Sequence, residues 1–116
     1  MPVSAMKLAA KFLKGKEDCL DALKIHDFPD DESAHDDELT ERIHAEFSKE
    51  VDRIQAELSK QYGPPSRTGK KDDKDIPANG VFRFAIWKVG KKQLFVAAHH
   101  EDRGVPIVLL LGTANQ

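Results

Sequence analysis

The chain reads as an α+β fold: N-terminal helices, one of them long and amphipathic, then a three-stranded antiparallel β-meander at the C-terminus. Three observations carry that reading. Apolar residues from Leu39 to Tyr62 recur on a helical period. Three runs rich in β-branched and aromatic residues crowd the last third, separated by glycine-bearing turns. Helical patterning comes first and strand patterning last, the order of an α+β domain rather than of alternating βα units. At 116 residues the expectation is a single domain over 1–116, with a helical part at 4–63, a flexible loop at 64–79 and the sheet at 81–112.

Ser4 is the expected N-cap of the first helix, after which Met6, Ala9, Ala10 and Leu13 recur at helical spacing and Gly15 punctuates. Cys19, Leu20, Ala22, Leu23 and Ile25 read as a resumed or second short helix, stopped by Pro29. The acidic, apolar-poor stretch 30–37 reads as a connection. The clearest helix then runs over Asp37–Tyr62. Its apolar positions Leu39, Ile43, Phe47, Val51, Ile54, Leu58 and Tyr62 fall at steps of four, four, four, three, four and four. Asp36 or Asp37 caps its start, and Gly63-Pro64 supplies the stop. At 1.5 Å per residue it is about 39 Å long.

The stretch 64–79 holds two prolines at its start, Gly69 and the run Lys70-Lys71-Asp72-Asp73-Lys74-Asp75, the composition of a flexible surface loop. Val81–Val89 is the first strand, Gly90-Lys91 a two-residue hairpin turn, and Lys92–His100 the second strand. A turn follows from Glu101 to Gly104. The third strand runs from Val105 to Leu111 and ends at Gly112.

The turn sets the register: Val89 opposes Lys92, Trp87 opposes Leu94, Ala85 opposes Val96 and Phe84 opposes Ala97. Alternation then places Val89, Trp87, Ala85, Leu94, Val96, Ala98, Ile107, Leu109 and Leu111 on one face. Phe82, Phe84, Ile86, Phe95, Ala97, Val108 and Leu110 fall on the other. Both faces are apolar, so each needs a cover. The long helix serves one; the N-terminal helices or a second copy of the chain serve the other. The outer edge of the third strand, from Val105 to Leu111, is apolar and invites pairing in a homodimer.

The charge is split. Between Glu17 and Lys60 there are 15 Asp/Glu against 5 Lys/Arg, a net of −10; the other residues net +8, and together they give the overall −2. Such a field steers oppositely charged partners. Lone Cys19 permits neither an intramolecular disulfide nor a cysteine zinc cluster, which fits a reducing, cytoplasmic location. Lys7, Lys11, Lys14 and Lys16 interrupt the apolar start, unlike a signal peptide, and no window approaches the ~20 apolar residues of a membrane span, so no membrane partner is expected.

Motifs that carry chemistry are sparse. His99, His100 and Asp102 have ligand-type side chains, but strand neighbours point to opposite faces, leaving too few groups for a metal site. Cys19 sits among Glu17, Asp18 and Asp21, which disfavour a thiolate. Arg67, Lys70, Lys71, Lys74, Arg83, Lys88, Lys91, Lys92 and Arg103 lie near aromatics, yet Asp72, Asp73 and Asp75 neutralise the loop and the phenylalanines read as core, so nucleic acid is not expected. No cofactor is implied.

These features point to a small protein-binding domain. Its acidic helical half would meet a basic partner through Glu41, Glu46, Glu50, Asp52 and Glu57, with Trp87 as a candidate anchor. The functional analogy is to immunity proteins that neutralise basic toxins. Two other classes compete: a metal-dependent or acid–base enzyme at the turn from His99 to Asp102, and a homodimeric structural or regulatory subunit.

Overall fold

A computed structural model describes residues 5–28, 36–102 and 104–115. Among them are two helices, α1 (Ala5–Lys14) and α2 (Asp37–Tyr62), and five strands: β1 (Cys19–His26), β2 (Arg67–Gly69), β3 (Val81–Val89), β4 (Lys92–His100) and β5 (Ile107–Asn115). The strands form one antiparallel sheet in the order β1-β5-β4-β3-β2. The three-stranded meander is therefore the middle of a five-stranded sheet. Ser4, the expected N-cap, and Pro29, the expected helix stop, lie outside the described residues, as does Arg103.

α2 forms where its stripe requires it. Asp36 caps it by accepting a hydrogen bond from the Leu39 backbone N–H at 3.0 Å, and Gly63, at φ 80°, ends it by donating its N–H to the Ser59 carbonyl. Ile43, Phe47, Val51, Ile54 and Leu58 are buried against the sheet. Each such side chain contributes about 1.5–3 kcal/mol relative to an exposed one.

The hairpin register is the expected one, with Val89 opposite Lys92, Trp87 opposite Leu94, Ala85 opposite Val96 and Phe84 opposite Ala97. Ala85, Trp87, Leu94, Val96, Ala98, Ile107, Leu109 and Leu111 share one core with both helices. Phe82 departs from its expected face. A bulge between Val81 and Arg83 shifts the phase, so Phe82 packs on the helix side and Val81 takes its place beyond.

Both helices cover the same face, contrary to the expectation that they would divide the two faces or leave one to a second copy. The segment after β2 covers the β3–β4 part of the other face, where its Ile76 is buried against Val81, Phe84, Ile86, Phe95 and Ala97. Arg67 holds that segment, donating to Asp73 at 2.9 Å and to Asp75 at 2.6 Å, while Asp72 accepts from the Val81 N–H at 2.7 Å. Arg67 holds the Asp73 carboxyl below its ordinary range.

β1 is the largest correction to the expected helices. Its apolar residues fit a helical spacing because a bulge between Ala22 and Lys24 breaks the alternation of a strand. Tertiary demand decides the outcome: the apolar edge from Val105 to Leu111 has backbone groups to satisfy, and β1 satisfies them. That edge is interior to the sheet, so the homodimer expected through it has no free strand to use. β5 also runs on through Gly112. A Cβ there would stand 2.5 Å from the Phe95 ring and 2.8 Å from the Cys19 carbonyl, so glycine permits the ring to lie across the strand. Lys92 is buried too. Its ammonium donates to the carbonyls of Phe12 and Glu17 at 3.3 and 3.1 Å, tying the end of α1 to the sheet.

Candidate functional site

The acidic surface is built by α2. Its buried stripe faces the sheet, which leaves Glu41, Glu46 and Asp52 exposed and Glu50 and Glu57 half-buried. The five carboxylates are not equivalent. Arg53 donates to Glu50 at 2.9 Å and meets Glu57 at 3.4 Å, one helical turn to either side. Arg83 of β3 holds Asp52 at 2.6 Å. Glu41 and Glu46 make no ion pair among the described residues. Glu41 and Glu46, both in the N-terminal half of the helix, thus differ from the arginine-paired carboxylates that follow them.

Trp87 does not belong to that surface. It is 1% exposed, on the sheet face under α2, and its indole N–H donates to the Gly63 carbonyl at 2.9 Å. It ties the end of the helix to the sheet and presents nothing to a partner.

The N-terminal half of α2 holds a cluster that sequence reasoning missed. His44 Nε2 and His100 Nδ1 are 3.0 Å apart and share one hydrogen bond. Phe82 stacks on His44 at 4.2 Å between ring centroids, and Phe28 stacks on His100 at 5.7 Å. His26 meets Phe28 edge-on at 5.1 Å. Burial pushes both paired imidazoles below their ordinary pKa. For His44 the neighbouring His100 adds to this and Glu41 opposes it; for His100 the Val105 backbone and Asp102 oppose it and His99 adds a little. Although the Val105 backbone lies close enough to act on the charge, His100 Nε2 is buried with no hydrogen-bond partner among the described residues. No motif signals this cluster, since its members come from α2, β4, the bulge of β3 and the end of β1, far apart in the chain.

The turn from His99 to Asp102 does not gather its groups. His99 Nδ1 lies 3.1 Å from the Asn79 carbonyl, while His100 turns to His44 on the other side of the sheet. Among the described residues no three His, Cys, Asp or Glu side chains converge as metal ligands. Cys19 is a half-buried free thiol that donates to the Glu17 carbonyl. No helix among the described residues is long and apolar enough to cross a membrane.

Compared with known proteins, the chain matches no family model, no curated protein and no solved structure.

Proposed function

We propose that the protein is a binding domain of a reducing compartment such as the cytosol, and that it engages a basic protein partner, such as a toxin, through the N-terminal half of α2. One observation carries the reading: Glu41 and Glu46 project to solvent with no ion pair among the described residues, beside the acidic start of the helix, while Glu50, Asp52 and Glu57 are each held by an arginine. Carboxylates already held gain less from a new cation than open ones, because a new contact first breaks an old one. The clamp therefore narrows from five residues to Glu41 and Glu46. Asp36, Asp37 and Glu38 add to the field at the helix start.

The test uses two double charge reversals. Capture from lysate of the source organism at low salt, followed by salt elution, yields a basic protein with the unaltered chain. E41K/E46K abolishes that capture, and E50K/E57K reduces it less. Equal capture by all three proteins would refute the assignment.

A further inference from the structure

β1 is an end strand of the sheet, and no other strand among the described residues lies along its outer edge. It also carries Leu20 and Ile25, the large hydrophobic residues left exposed among the described residues, at 49% and 57%. In a regular strand two residues five apart face opposite sides. The bulge changes that. Leu20 pairs with Gly112 and Ile25 with Val108, both on the sheet face away from the helices. Asp21 and Lys24 pair with Leu111 and Leu109 on the helix side, where Lys24 Nζ lies 5.1 Å from the centre of the Phe47 ring.

This arrangement is complementary to itself. Consider β1 laid antiparallel against β1 of a second copy, with the two-fold axis between Ala22 and Leu23. Leu20 then stands opposite the partner's Ile25, and Asp21 opposite the partner's Lys24, each pair occurring twice. Both members of each pair share a face, which an unbulged strand would not allow. Apolar pairs and opposite charges directly across an antiparallel ladder are the stabilising contacts of a sheet. The axis also explains the Asp21 carboxylate, which accepts from the Ala22 N–H at 2.9 Å in the single chain. In the dimer Asp21 would turn from that N–H to the partner's Lys24. The flanking pairs extend the ladder on either side of the axis, where the bulged Ala22 and Leu23 face opposite sides of the sheet.

We propose that the protein forms a two-fold homodimer through β1, joining two five-stranded sheets into one continuous sheet. The contact uses neither the acidic face of α2 nor the edge from Val105 to Leu111, so it is independent of the basic-partner reading.

Sedimentation equilibrium of the full chain over a wide concentration range tests this. The expected result is a reversible dimer. D21K weakens it about tenfold, because two attractive pairs become repulsive. The exchanged double variant D21K/K24D returns the affinity to within about threefold of the original. I25D removes the dimer, while circular dichroism shows the fold intact, as the exposed side chain allows. The proposal is overturned by a monomer at every concentration. It is equally overturned by a dimer indifferent to D21K and I25D, or by one that D21K weakens and the charge exchange does not restore.

Discussion

His44 and His100, 56 residues apart in the chain, share one hydrogen bond. A neutral pair shares a hydrogen bond because one ring donates and the other accepts. A second proton removes the acceptor and sets two cations 3.0 Å apart between Phe82 and Phe28. Glu41 and Asp102 favour the charged forms and His99 opposes them, but burial dominates and lowers both pKa values. The unfolded chain therefore takes up these protons first as pH falls. The resulting stability is fully present above the ordinary imidazole range. It is lost as pH drops through that range toward the lowered folded values, at up to about 1.4 kcal/mol per pH unit for each proton. Urea denaturation between about pH 7.5 and pH 5 should show the decline. His44→Gln should reduce the slope by about one proton, its amide still able to donate to His100. An unchanged slope would place the acid sensitivity elsewhere.

At the scale of elements, legibility follows periodicity. α2 and the β3–β4 hairpin from Phe84 to Ala97 are readable to the residue because nothing interrupts their 3.6- and 2-residue periods there, whereas the bulge between Val81 and Arg83 puts Phe82 on the face opposite to the one its spacing predicts. β1 is not readable, since its bulge turns a strand pattern into one that also fits a helix. β2 is three residues long and follows two prolines, too short for any pattern to emerge. The aspartates after it looked like a solvated charge run, yet Arg67 makes them the clasp that holds Ile76 over Phe84 and Phe95. Arg67→Ala should release that cover. Hydrogen exchange is the direct readout: the Ile76 and Ala78 amides, bonded to the Asp73 and Ile76 carbonyls, should lose protection well before α2 does. Global stability should fall by about 1–3 kcal/mol, the cost of leaving half-buried carboxylates without their donor. Protection unchanged at both amides would mean that apolar packing alone secures the segment.

At the scale of the whole molecule, the fold turns a charge pattern in the chain into two poles. The start of α2, the end of β1 and the β4–β5 turn bring Asp27, Asp36, Asp37, Glu38, Glu41, Glu101 and Asp102 to one end, around Arg42. The end of α1, the end of α2 and the β3–β4 turn bring Lys11, Lys14, Lys16, Lys60, Lys88 and Lys91 to the other, where they outnumber Glu17, Asp18 and Glu57. The molecule measures 45 × 28 × 22 Å, so the poles lie farther apart than the ~8 Å over which salt at physiological strength screens them. A partner near one pole therefore feels little of the other. The acidic total was legible in the chain, but its partition was not. Arg53 reaches Glu50 and Glu57 at spacings any helix provides, whereas Arg83 reaches Asp52 from 31 residues away. A basic partner approaching the acidic pole should be steered in, with an association rate that falls at least about tenfold from 0.01 M to 0.5 M salt while dissociation changes less. Stopped-flow association with the captured partner measures this directly. E41K/E46K should flatten the dependence by removing the open carboxylates, and a rate indifferent to salt in the unaltered protein would show that the pole does not guide binding.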